Sequence, residues 1–177
     1  MKTIQIGSQV WTTKNLRVFK FRNEDPIPII QDNEEWNKLE SPAMCINPDN
    51  GECYYNWYAV DDSRGLAPIG FHVPSDDEWQ QLVDYCGGDE KAGCYLKSLK
   101  KWDSEGYSKG FNAIPAGNRN SDDGNFTSQG YLGYWWSSSP NGAGAWNRVL
   151  ASGDPNVYRY GNDTRYGFSV RLIKDQL

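Results

Sequence analysis

The sequence predicts a single α+β domain over residues 1–177. Three observations carry that reading. Two amphipathic helical stretches lie in the first half of the chain. No helical period survives after about residue 110. The C-terminal part reads as short strands separated by turns rich in Gly, Asn and Asp. At 177 residues the chain is long enough to bury a sizeable core, and it shows neither an internal repeat nor a linker. Aromatic residues make up 14% of it, with eight Trp and eleven Tyr, while mean hydropathy is −0.76. That combination describes a loop-rich fold with aromatic cores, not a disordered chain.

Taken in order, "TIQIGSQVW" alternates as a strand from Thr3 to Trp11 and has no apolar signal-peptide region. Either export does not use that route or the chain starts at a mature terminus. "DNEEWNKLESP" predicts a helix over 33–40, with Asp32 or Asn33 as cap, Trp36 and Leu39 facing inward and Pro42 closing it. "PSDDEWQQLVDYCGG" predicts a second helix over 75–86. Ser75 and Glu78 form a capping box, Trp79, Leu82, Val83 and Cys86 come next at helical spacing, and Gly87-Gly88 ends it. The remainder is expected to be small antiparallel sheets and long loops.

The four cysteines fall in two pairs, Cys45/Cys53 and Cys86/Cys94, each eight residues apart. Two local disulfides would fit an oxidising compartment, and four buried free thiols are the alternative. "CGGDEKAGC" is the better placed pair, because its glycines let the chain turn back. No CxxC is present and His72 is the only histidine, so a structural zinc site is not expected.

Composition and motifs exclude more than they include. The formal net charge is −5 and no Lys/Arg run occurs, so nucleic acid is not an expected partner. No apolar stretch reaches membrane-spanning length, and no membrane insertion is expected. P-loop, dinucleotide, zincin and nucleophile-elbow patterns are absent. His72, just ahead of a helix cap, is expected to hydrogen-bond a neighbouring backbone group instead of acting as a base. Asp76, Asp77, Asp122 and Asp123 sit in caps and turns, where local hydrogen bonding accounts for them. "NSDDGN" matches no EF-hand loop and reads as a solvated turn. No catalytic residue, metal ligand or cofactor is expected.

The C-terminal segment is unusual. From Gly130 to Ile173 there is no Lys, Glu, Gln or Met, although the chain's 27 such residues would place about seven there by proportion. Strand composition lowers that number without easily lowering it to zero. Parity divides β-type positions cleanly: Trp146, Arg148 and Leu150 fall on one strand face, Asn147, Val149 and Ala151 on the other.

Six words occur in sequence order: "IGSQVWTTKNL", "YYNWYAV", "RGLAPIGFHVPSDDEWQQLV", "GFNAIPAGNRN", "GYWWSSS" and "GFSVRLIKD". Together they resemble the Fibrobacter succinogenes major paralogous domain family, common in gut Bacteroidetes and Fibrobacteres. The resemblance covers nearly the whole chain. It implies a C-type-lectin-like fold in the version shared with formylglycine-generating enzyme: two helices beside small antiparallel sheets, with extensive loops. The oxidase of that fold uses a late cysteine pair, and no cysteine follows Cys94 here, so oxidase chemistry is not implied. The calcium-binding sugar tripeptide of animal lectins is missing as well.

The resemblance further implies a likeness to the variable proteins of diversity-generating retroelements, which randomise template adenines. Asn codons so treated yield Tyr, Asp, Ser, Gly, Ala and Val but never Lys, Glu, Gln, Met or Trp, and the first four of these last five are the residues missing from the segment. Candidate varied, ligand-binding positions within 140–166 are Asn141, Gly142, Asn147, Val149, Ala151, Ser152, Asp154, Tyr158, Tyr160, Asn162, Asp163 and Tyr166. Framework candidates are Trp136, Trp146, Leu150, Val157, Phe168 and Val170. The expected function is a non-enzymatic binding module, a surface adhesin or phage receptor-binding protein. Its ligand would be a protein or glycan on a cell surface, and its place extracellular, at a cell surface or on a virion. Tyr, Ser, Gly and Asn are the residues that paratopes use. The alternatives are a carbohydrate-binding accessory domain, a hydrolase with an unrecognised site, and "NGAGA" and "YGNDTRYG" as passive hairpin turns.

Overall fold

A left-handed glycine splits the opening segment into a hairpin. In the computed structural model, which describes residues 1–102, 108 and 110–176, β1 (Thr3–Ile6) turns at Gly7, φ 62°, into β2 (Gln9–Thr12). The continuous strand expected from Thr3 to Trp11 is therefore two antiparallel strands, with Ile4 opposite Trp11. A side chain at Gly7 would meet both its positive φ and the Tyr85 ring, 2.9 Å from an ideal Cβ.

The first helix, α1 (Asn33–Trp36), is capped by the Asp32 side chain, which accepts from Glu35 N. It is shorter than the 33–40 span expected. Lys38 N and Leu39 N bond back only three residues, so the tail closes as tight turns. The hairpin β3 (Met44–Ile46) and β4 (Cys53–Tyr55) runs into α2 (Trp57–Val60), a single turn capped by Asn56. β5 (Phe71–His72) precedes α3 (Asp76–Tyr85), where the Ser75–Glu78 capping box is realised and Trp79, Leu82, Val83 and Cys86 are buried. α4 (Ala92–Leu96) comes next. Then come β6 (Asn118–Arg119), β7 (Phe126–Thr127), β8 (Leu132–Asn141), β9 (Gly144–Ala151), β10 (Val157–Asp163) and β11 (Ile173–Lys174). No helix lies beyond α4 among the described residues. α2 and α4 span one turn each, too short to imprint a period.

Every pairing between these strands is antiparallel, which makes the fold α+β. One sheet has the order β1-β2-β11-β5 and joins both ends of the chain; another has the order β10-β9-β8. Two aromatic cores flank the latter. Trp135 faces a cluster with Trp11, Trp79, Leu82 and Phe111. Trp136 faces another with Tyr55, Phe168 and Val170. β8 is thus covered on both sides along its first half.

Buried arginines tie the loops together. Arg119 donates to the carbonyls of Ile30, Gln31, Asp32 and Gly124 and lies over the Trp36 ring at 4.5 Å. Arg171 donates to the carbonyls of Thr12, Phe111 and Asn112.

No disulfide joins either expected pair in the structure. Cys45 lies opposite Tyr54, and Cys53 lies opposite Ile46. Strand alternation therefore sends the two sulfurs to opposite faces of the hairpin and into different cores. Burial pushes the Cys45 thiol up to about 12, against the nearby Arg119 charge. Cys86 packs into the Trp11 core from the end of α3. Cys94 sits two residues from both Ala92 and Leu96, the residues α4 turns to that core, so its half-buried side chain lies on another side of the helix.

Candidate ligand-binding face

Residues directly opposite in an antiparallel ladder share a sheet face. The register of β8, β9 and β10 therefore builds one face from four rows. These are Leu132 and Ala151; Tyr134, Val149 and Tyr158; Trp136, Asn147 and Tyr160; Ala145 and Asn162. The sheet brings together Asn147, Val149, Ala151, Tyr158, Tyr160 and Asn162. Tyr166 joins them through Phe168. Its ring lies 5.3 Å from that phenyl, on which Tyr134 stacks at 4.9 Å and 16°.

Exposure on this face rises toward the edge strand. Tyr160 is 51% exposed, and Tyr158 stacks on it with centroids 5.9 Å apart and planes at 12°. Asn147 and Val149 were expected at the surface, but they are 0% and 4% exposed. Parity grouped them correctly, yet β9 is the central strand, and side chains of β8 and β10 crowd it from both sides. Asn147 Nδ2 donates to Tyr160 O at 2.9 Å and to Asn162 Oδ1 at 2.7 Å. Asn147 Oδ1 is buried without a partner, a state that costs about 1–3 kcal/mol.

The remaining sequence-named residues border the face and hold its turns. Tyr158 OH donates to Asp154 Oδ2 at 2.5 Å, which lowers that carboxyl's pKa and raises the phenol's. Lys97 Nζ clamps the same turn by donating to the carbonyls of Ala151 and Asp154. Ser152 N donates to Tyr131 O. Asp163 pairs with Arg165, which donates onward to Asn37 O. Asn141 Nδ2 packs where a Cβ on Gly161 would stand, so β10 tolerates it only because Gly161 has none. Gly142 is exposed at φ 60° in the β8–β9 turn. Sequence reasoning missed Tyr134, which is half-buried at the centre of the rim. Its signal was available: it stands two residues from Trp136, on the same parity.

The opposite face is structural. Asp76, in the first turn of α3, accepts from Arg148 at 2.5 Å and from Arg159 at 2.8 Å. Burial favours its protonated form, but the two guanidiniums outweigh burial and hold the carboxyl below its ordinary range. Arg159 also lies 3.4 Å above the Trp146 ring. Trp146, expected as core framework, is half-buried beneath that cation, while Trp136, Leu150, Val157, Phe168 and Val170 are buried as expected.

His72 departs from expectation too. Its partners are side-chain carboxylates: Nδ1 meets Asp175 Oδ1 at 2.6 Å and Nε2 meets Glu78 Oε1 at 2.9 Å. Partial burial pulls its pKa down, but the two carboxylates prevail and raise it above the ordinary value. Glu78 stands between the imidazole and Ser75, whose hydroxyl bonds Glu78 Oε2. Asp122 and Asp123 lie in a turn, where Asn120 Oδ1 accepts from Asp122 N and Asp123 Oδ1 from Asn125 N. Among the described residues, no group of three or more His, Cys, Asp or Glu is placed to hold a metal ion. None of their helices is long and apolar enough to cross a membrane.

Residues 4–174 match the Fibrobacter succinogenes major domain. The chain belongs to that family. No curated protein and no solved structure matches it. The match runs from β1 to β11, so the tyrosine face lies inside the Fibrobacter succinogenes major domain and not in an appendage to it.

Proposed function

We propose that the tyrosine face of β8–β10 is a ligand-binding surface and that the domain is a non-enzymatic recognition module. Its ligand would be a protein or glycan on a cell surface, as for an adhesin or a phage receptor-binding protein. The observation that carries the reading is the Tyr158–Tyr160 stack on the edge strand, beside half-buried Tyr134 and Tyr166. Tyrosines supply broad, stiff contact area at low entropic cost. The backbone beneath them is held by the ladder and, from behind, by Asp76 with its two arginines. Side chains on β10 can therefore change without loss of the fold, which is what a diversified surface requires. That the overall arrangement is C-type-lectin-like remains part of this proposal. The pairing of the N-terminal hairpin with the C-terminal strand supports it.

The test is binding of the whole domain to a glycan array and to intact gut-bacterial cells. The Tyr158→Ala/Tyr160→Ala variant should lose the signal while remaining folded. A variant that keeps every neutral-glycan and cell signal of the native domain would refute the assignment of this face.

A further inference from the structure

The chain is acidic, with a formal charge of −5, yet one cavity has the opposite sign. It measures about 600 Å³ and, among the described residues, is lined by Lys2, Lys14, Arg17, Lys101 and Arg171 against one acid, Glu52. A second cavity of about 380 Å³ adjoins it, sharing Lys2, Lys14 and Arg17. Among the described residues no ion pair engages any of these five cations.

Arg171 is 1% exposed. Besides its three backbone carbonyls it donates to Asn15 Oδ1 at 2.8 Å, and no carboxylate of the described residues bonds to it. Glu52 reaches it only through Asn15, whose Nδ2 donates to Glu52 Oε2 at 2.7 Å. Burial lowers the guanidinium to about 9, with Glu52 opposing. A buried cation without a counter-charge is costly, and an anion entering the cavity would offset that cost.

The rest of the lining narrows the ligand. No aromatic side chain lines either cavity among the described residues, so there is no stacking platform for nucleobases or for the apolar face of a neutral sugar. Thr13, Asn15, Ser98 and Asn112 bring hydroxyl and amide groups that suit sugar hydroxyls. The volume falls in the range of small-molecule sites. We propose that this cavity binds an acidic saccharide, its carboxylate or sulfate held by Lys14 and Arg17 above the buried charge of Arg171. None of the lining residues belongs to the β8–β10 sheet, so the site is independent of the tyrosine face.

Calorimetry on the whole chain tests it at about 20 mM NaCl, where screening is weak. The probes are trigalacturonic acid, a sulfated disaccharide, neutral galactotriose, hexaglutamate, a single-stranded oligonucleotide and inorganic sulfate. One of the two acidic sugars should saturate the protein, and which one identifies the anionic group. Galactotriose should not bind. Lys14→Gln/Arg17→Gln should weaken binding by about tenfold or more with the unfolding midpoint unchanged, and Tyr158→Ala/Tyr160→Ala should leave it intact. The proposal is overturned if neither acidic sugar binds, if galactotriose binds equally well, or if the Lys14/Arg17 variant binds normally. Hexaglutamate, the oligonucleotide or inorganic sulfate binding as tightly as the sugar would overturn it equally.

Discussion

Trp135 and Trp136 are neighbours in the chain and anchors of different cores. Trp135 donates from Nε1 to Asn15 Oδ1 at 2.9 Å, while Trp136 donates to Tyr55 O at 2.9 Å and packs 4.3 Å from Phe168. The backbone between them is the wall that separates the two clusters. Everything displayed on β9 and β10 hangs from that wall.

Trp136→Ala should therefore be costly, about 3–5 kcal/mol as for other large core deletions. Trp146→Ala, which was expected to behave alike, should cost less, since the indole is half-buried and its contact with Arg159 is worth about 0.5–2 kcal/mol. Urea unfolding of both variants checks this; equal losses would mean that Trp146 is core after all.

Tyr158→Ala/Tyr160→Ala should shift the unfolding midpoint little, because Tyr160 is half exposed and Tyr158 bonds only within its own turn region. Cell or glycan binding should fall by about 2 kcal/mol or more, as for aromatic hot spots. Thermal melts beside binding curves separate the two effects.

Asp76→Ala should destabilise by about 3–5 kcal/mol, since it strands buried Arg148 without a counter-charge. Adding Arg148→Met should recover much of the loss. A double variant no more stable than the single one would mean that the ion pair is not what this corner depends on.

His72 predicts a pH dependence with a definite sign. Its folded pKa lies above the ordinary 6.5 because of Asp175 and Glu78, which outweigh burial. The stabilisation is fully present below about pH 6.5 and is lost as pH rises through the folded value. The side chain is 40% exposed, so solvent screening keeps the effect modest. Denaturation midpoints between about pH 5 and 9 should decline for the native chain and flatten for His72→Gln.

Thiol titration of denatured, unreduced protein should find four reactive groups, because no disulfide joins either cysteine pair. Two would restore the Cys86–Cys94 bridge and contradict the geometry of α4.

The capping box at Ser75 and the apolar spacing behind it were legible because α3 is long enough to repeat its pattern. Parity in β9 was legible as well, and it assigned Asn147, Val149 and Ala151 to one face. What it lacked was cover: alternation says which side chains point together, not what lies over them. Gly7 read as a strand position because its left-handed φ leaves the surrounding alternation intact. The cationic cavity was invisible, since Lys2, Lys14, Arg17, Lys101 and Arg171 form no run. Only folding collects them.

β11 lies between β2 and β5, with Ile173 opposite Trp11. Chain entry and exit thus occupy one sheet, and the polypeptide forms a nearly closed loop. A short peptide joining the two ends would add little closure entropy, so the chain could be reopened at the exposed Gly142 turn and still fold. By the same geometry the domain can be spliced into a surface loop of another protein without prying that host apart.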